Sequence, residues 1–316
     1  MAYEWQFNTE TGAFKNHSLS RDLYQAAVEN AIFMDHVKPV KGFGKKMGES
    51  VLLTRITRLT EPSSVALNEG ARIPEDDYAM TTRSITVTEI GRSVPYSSLA
   101  EDLTWYDLEN SVQKVLMEQM QLGLDSMAAS TTNGFRAGSI KYQLTGLTAG
   151  TFTTNGSFGG ASAVNLNMYH VEQIRDYMFD TLFVPEVSGG GYTAICRTLG
   201  LRGLKRDSDW AEWHKYTDPS AKWNNEVGQV EGIRFIECNH NNALGQVGTG
   251  SVLGESVFFG DDAVALAEVQ TPELRAAMPD DFGRSKAVAW YGILQFGVIW
   301  NTGNAGQAKI VHVGST

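Results

Sequence analysis

Apolar residues recur along this chain in two rhythms, and the slower one draws the clearest element. Leu108, Val112, Val115, Leu116, Met120, Leu124 and Met127 follow a 3.6-residue repeat, while Glu109, Gln113, Lys114, Glu118, Gln121 and Asp125 fall largely off it. The pattern predicts an amphipathic helix over 104–132. Thr104 would cap its start, with Asp107 three residues on, and Asn133-Gly134 would end it. At 1.5 Å per residue such a helix is roughly 40 Å long, more than an ordinary domain needs. A second helix is predicted over 166–183, with Val171, Ile174, Met178 and Leu182 on its face, Asn167 at its cap and Pro185 as its stop. A smaller stripe, Leu23, Ala26, Ala27, Ala31 and Met34, predicts a short helix over 22–34 within a polar arm.

The faster rhythm marks strands. Residues 51–59 and 81–94 are rich in β-branched side chains, with Ile85 and Val87 alternating and a slip before Ile90. Leu67-Asn-Glu-Gly-Ala-Arg-Ile-Pro-Glu75 between them is turn-rich, so the two runs read as a long hairpin with a wet tip. A two-stranded hairpin is marginal alone; a neighbouring subunit is the simplest cover. Tyr192-Thr-Ala-Ile-Cys196 reads as a buried strand, and further strands are expected near 232–238, 256–260 and 287–300. Residues 197–216, with Arg202, Lys205, Arg206, Trp210 and Trp213, are expected to be partly helical. The Gly/Thr/Ser-rich stretch 138–163 reads as a separator between the two long helices. The sum is an α+β chain without a repeat of fixed period.

Composition narrows the function classes. The 316 residues are 42% hydrophobic and 20% charged, which describes an ordered chain long enough for about two domains. A net charge of −10 opposes general binding to phosphate backbones. The basic residues that cluster are Lys38, Lys41, Lys45 and Lys46 in a glycine-containing link, and Arg202, Lys205 and Arg206 further on. Cys196 and Cys238 stand in no CxxC or Cys/His spacing and read as buried thiols. The first residues lack the basic and apolar regions of a secretion signal, and no run of eighteen apolar residues occurs.

Catalytic patterns are not found. Gly42-Phe-Gly-Lys-Lys-Met-Gly48 is too long for a dinucleotide fingerprint and lacks the hydroxyl of a phosphate loop. Gly248-Thr-Gly-Ser251 misses the spacing of a nucleophile elbow. His17, His36, His170, His214, His240 and His312 form no metal-binding pair. Asp76-Asp77, Asp261-Asp262 and Asp280-Asp281 read as caps and solvated turns; a hydrolase using one such carboxylate pair is the enzyme alternative.

The most informative segment is Asn225-Glu-Val-Gly-Gln-Val-Glu-Gly-Ile-Arg-Phe-Ile-Glu-Cys-Asn239, in which Gly228 and Gly232 punctuate a turn, a short strand, a turn and a strand. Phe258-Phe-Gly-Asp-Asp-Ala263 follows, a strand stopped by Gly260 with an Asp placed to cap a helix or turn. The pattern resembles the Gly-x-Val/Ile-Gly-x-x-x-Gly-Val-Arg segment near the C-terminal end of the major capsid proteins of tailed bacteriophages, which have the Hong Kong 97-type fold; those of the phage N-four type are most similar. Leu67-Asn-Glu-Gly-Ala-Arg-Ile-Pro74 is similar to that family's Leu-Thr-Glu-Gly-Val-x-Pro tip, and 92–102 resembles the approach to its spine helix.

The resemblance implies an N-terminal arm at 1–38, an extended loop at 39–92, a peripheral domain at 93–190 with spine helix 104–132, an axial domain at 191–284, and C-terminal strands 285–316 returning to the peripheral domain. It implies a subunit that forms the hexamers and pentamers of an icosahedral head around double-stranded DNA, assembled in the host bacterial cytoplasm and located in the virion. Partners would be further copies of itself, a separate scaffolding protein, a portal and a decoration protein, with no membrane and no cofactor. Intersubunit contacts are expected at Leu67, Glu69, Arg72, Glu75, Arg202, Lys205 and Arg206. Encapsulin compartments share the fold and stay open as an alternative.

Overall fold

The computed structural model describes residues 28–316 apart from 57–58, 60, 63–64, 68, 71, 138–139, 155–157, 159–163, 189, 209, 211–225, 249 and 301–307. Its elements in chain order are β1 (Lys38–Pro39), β2 (Ser50–Ile56), β3 (Met80–Thr86), β4 (Thr88–Ser97), α1 (Ser98–Leu103), α2 (Leu108–Ala128), β5 (Ile140–Gly146), β6 (Ala149–Thr154), α3 (Met168–Asp176), β7 (Tyr192–Arg197), α4 (Thr198–Leu201), β8 (Glu226–Val230), β9 (Ile233–Cys238), β10 (Gln246–Val247), β11 (Leu253–Phe259), β12 (Val264–Ala276), β13 (Ser285–Val298) and β14 (Ile310–Ser315).

An eight-stranded sheet runs β6-β5-β14-β11-β7-β9-β8, with β10 on the side of β11. Both of its faces are covered. Ala194, Cys196, Phe235, Phe258, Val311 and Val313 pack with Met168, Val171 and Ile174 of α3 and with Met178 just after it. Ile195, Ile236, Cys238, Val257, Phe259 and Ile310 pack the other way, with Leu124 and Ala128 of α2 and with Phe33 and Phe135. Two covered faces explain why β7 and β11 are buried along their length without the alternation of a half-exposed strand. The β8–β9 hairpin turns on Glu231 and Gly232, both at positive φ (52° and 73°), the geometry that two-residue hairpin turns demand. Gly228 lies inside β8 at a register shift instead of in a turn of its own.

A four-stranded sheet, β1-β12-β13-β4, carries α2 across it. Leu116 packs with Val288 and Trp290, flanked by Val112, Met120, Ile90 and Val94. The same helix thus seals the four-stranded sheet with its first half and the core beside the eight-stranded sheet with its second. Its start differs from expectation: Thr104 closes α1, donating its backbone N–H to the Ala100 carbonyl, and Asp107 caps α2 by accepting from the Asn110 N–H. The whole stripe falls within α2, which starts at Leu108 and ends at Ala128 with 21 residues instead of spanning 104–132, and the separate short helix α1 lies ahead of it. Val115, expected on the stripe, is 57% exposed, whereas Asp125, expected off it, is fully buried.

Other expectations also need correction. Residues 28–32 carry no regular structure and Phe33–His36 is a single 3-10 turn, so the described part of the expected 22–34 helix is not one; 22–27 lie outside the described residues. The second helix exists as α3 with its Asn167 cap, but it passes into a π turn at Tyr177–Thr181 and ends before Pro185. The separator at 138–163 contains the β5–β6 hairpin, whose Ile140, Tyr142 and Leu144 enter the core. Of the helix or turn expected at Asp261-Asp262, the structure has the turn, which joins β11 directly to β12.

The segment boundaries implied by the resemblance cut across these sheets. β12, drawn from 191–284, lies with β13 and β4, while β14, drawn from 285–316, lies between β5 and β11. Both cysteines are free and buried, and burial pushes the Cys196 and Cys238 thiols up to about 12 and about 11. No helix among the described residues is long and apolar enough to cross a membrane.

Candidate functional site

The β2–β3 hairpin has little cover among the described residues. Its seven residue pairs run from Ser50↔Thr86 to Ile56↔Met80. One face, Val51, Leu53 and Ile85, rests on Ala265, Ala267 and Ile299. The other shows Leu52, Ile56 and Met80 at 65%, 57% and 54% exposure, and the loop beyond adds Leu59, Val65, Leu67, Ile73 and Tyr78. Gly297 lets the hairpin sit close, since a Cβ there would stand 2.4 Å from Ile85 Cδ1. A single residue, Val87, links β3 to β4, so the hairpin projects directly from the rigid four-stranded sheet. A second projection is the β12–β13 tip, where Met278 and Phe282 are fully open and Asp280 caps the turn. Exposed apolar side chains grouped on projecting elements mark contact surfaces.

The expected intersubunit residues divide between two places. Leu67, Glu69, Arg72 and Glu75 lie exposed in the hairpin loop, with Arg72 and Glu75 paired to each other. Arg202, Lys205 and Arg206 are exposed beside α4, but Lys205 Nζ already stands 2.6 Å from Glu237 Oε2 of its own subunit. Among the described residues no ion pair joins the two groups.

Two buried polar clusters escaped the sequence reading. In the first, Asp125 Oδ1 accepts from the backbone N–H groups of Ile32 and Phe33 at 2.8 and 2.6 Å, and Oδ2 lies 2.9 Å from His240 Nδ1. His240 Nε2 is 3.3 Å from Ser126 Oγ. The connectivity is that of a nucleophilic triad, yet neither Ser126 nor His240 lines the neighbouring groove of about 950 Å³ between 28–36, α2 and β9. With its carboxylate committed to the 3-10 turn, Asp125 ties the stem of the N-terminal segment to α2 and to the loop after β9; Asn30 N–H donates to Asn239 Oδ1 in the same seam. The pair lies 115 positions apart, and no spacing announces it.

In the second, Glu255, 1% exposed, lies 2.8 Å from Arg136 Nη2 and accepts from the Gly245 N–H at 2.7 Å. His312 Nε2 stands 3.2 Å from Glu255 Oε1, and its Nδ1 meets Lys141 Nζ. Burial, with the charge of Lys141, holds His312 down at about 4. Burial raises the Glu255 carboxyl, but its neighbours outweigh this and keep it ionised. A folded-state value below the unfolded 6.5 means that between about pH 6.5 and 4 the unfolded chain takes up a proton that the folded chain refuses. Stability therefore falls as pH drops through that window. We expect the thermal midpoint of His312→Gln, which can keep both polar contacts without titrating, to fall less than wild type between pH 7 and 5. Equal falls would contradict this assignment.

No family model matches the sequence, and no curated protein matches it. Solved structures do. The head structure of Helicobacter pylori bacteriophage KHP40 is similar over 100% of both chains, with a TM-score of 0.71 at 13% identity. The cyanophage Pam1 capsid asymmetric unit is similar over 99% of both, at 0.69 and 15%. The capsid of cyanophage P-SCSP1u is similar over 98% of this chain and 96% of that one, at 0.67 and 12%. At these identities the likeness is one of fold, and the fold is the Hong Kong 97-type α+β fold of phage capsid subunits.

Proposed function

We propose that this chain is a major capsid protein, which assembles as hexamers and pentamers into the icosahedral head of a tailed bacteriophage around double-stranded DNA. The observation that carries the reading is the end-to-end match to capsid subunits, in which neither chain leaves a domain over. The uncovered hairpin supports it physically, since obligate interfaces of roughly 2,000 Å² or more are what such an element needs to bury its apolar side chains. Head-to-tail contacts of this kind close rings when the rotation closes. The −10 charge suits a wall that holds DNA by enclosure.

In this reading 1–38 is the N-terminal arm, 39–92 the extended loop, 93–190 the peripheral domain, 191–284 the axial domain and 285–316 the returning strands. α2 is the spine helix, and the Asp125 seam fixes the arm's stem to it. A scaffolding protein, a portal and a decoration protein are the further partners, the virion is the location, and assembly takes place in the host cytoplasm. Velocity sedimentation of the purified chain, alone and co-expressed with a candidate scaffolding protein, tests the function. Megadalton particles or capsomer rings are expected; a monomer or small oligomer under both conditions would overturn the proposal.

A further inference from the structure

We infer that Arg83, on the covered face of the β2–β3 hairpin, is a receptor for a carboxylate of a second copy of this chain, and that the neighbour's exposed Asp76-Asp77 pair supplies it. The inference rests on the shell-subunit reading above. Arg83 lies directly across the ladder from Leu53 and shares a face with Val51, Arg55 and Ile85. Its Nη1 is buried without a hydrogen-bond partner, and among the described residues no carboxylate pairs with it. The residue as a whole is half-buried rather than sealed in.

Burial, and then the charge of Arg55, push the Arg83 pKa below the usual arginine value. Arg55 itself is turned to the Ile299 carbonyl at 3.3 Å and the Trp300 ring at 5.6 Å. Two guanidinium groups side by side, one with a buried and unpaired nitrogen, cost the isolated subunit free energy. A carboxylate arriving beside the guanidinium would offset the repulsion between the two charges, and the planar fork of arginine suits a carboxylate.

The occupant follows from charge and exposure. The chain carries 36 acidic against 26 basic residues, and the hairpin's apolar outer face already calls for a second copy. In the loop, Arg72 is spent on Glu75, which leaves the adjacent Asp76 and Asp77 exposed. Repeated head-to-tail, such a contact would join each hairpin to the next loop around a ring.

The test uses full-length Arg83→Gln and Arg83→Glu beside wild type, with three readouts: the thermal midpoint of the unassembled subunit, particle yield on a gradient, and affinity for duplex DNA. Because Arg83 Nη1 has no partner among the described residues, Arg83→Gln should leave the midpoint unchanged or raise it. Particle yield should fall by about tenfold or more, as truncating one partner of a desolvated charge pair does. Asp76→Arg with Asp77→Arg should restore yield to Arg83→Glu. Wild-type yield from both single variants overturns the inference while leaving the shell reading intact. A midpoint that falls in step with yield makes Arg83 merely structural, and a loss confined to DNA affinity makes a phosphate the ligand; either overturns it. Loss of yield without rescue rules out Asp76-Asp77 as the donor. Should wild type itself form no particles, both readings fall.

Discussion

Leu116→Asp should yield no folded, soluble subunit. Leu116 is 1% exposed at the middle of α2, against Val288 and Trp290 of β13. A carboxylate there has no described basic group in its cluster, and burying it costs several kcal/mol even if it protonates. Domains of this size have only about 5–15 kcal/mol to lose. The consequence reaches past the local cluster, because α2 closes both the four-stranded sheet and the core under the eight-stranded one. Leu116→Ala should lose about 2–5 kcal/mol and lower the thermal midpoint while still folding. Circular dichroism and solubility decide it: a soluble, assembly-competent Leu116→Asp subunit would mean that α2 does not bear the core.

Removal of 63–77 should have the opposite profile, a normal subunit and failed assembly. The described apolar residues of this stretch, Val65, Leu67 and Ile73, are 83%, 62% and 66% exposed and join no core cluster. The seven ladder pairs of β2 and β3 and their contact with Ala265 and Ile299 would remain. The thermal midpoint of the subunit should therefore stay close to wild type, since loops without buried contacts carry little stability. Closed particles should vanish from a gradient, because the contact surface goes with the loop. Particles at wild-type yield would show that assembly runs through other surfaces.

Much of the fold was legible, and the reasons for the rest are physical. α2 shows in the sequence because one face of it is buried along its length. Its start was misplaced because Thr104 and Asp107 are both competent caps, and local pattern does not say which one tertiary packing will use. β7 and β11 lack the alternation of a half-exposed strand since both faces of their sheet are covered. β12 was missed: register shifts at Glu268/Gln270 and Gln270/Glu273 break the alternation that would announce it. β5 carries a clean alternation, buried Ile140, Tyr142 and Leu144 against partly exposed Lys141 and Gln143, but the glycines and hydroxyls around it masked seven residues of strand. β14 is short and has His312 at its centre, where a charge-capable residue argues against burial.

The hairpin and its exposed loop were readable because turn residues punctuate them. The polar clusters were not. Asp125 looks like the outward face of a helix, and only the arrival of the 32–34 backbone makes it an inward one. Nothing in the sequence marks Glu255 as buried; Arg136, from a 3-10 turn more than a hundred positions away, neutralises it. Such pairs are created by topology, and a one-dimensional pattern holds no record of them.

The central claim is that this chain is a shell-forming subunit whose hairpin and loop complete themselves on a neighbouring copy. Electron microscopy of the purified protein tests it most directly. The account predicts closed isometric particles or capsomer rings in which the 50–86 hairpin of each copy lies on the next. Discrete small oligomers, or particles in which that hairpin contacts no neighbour, would contradict it.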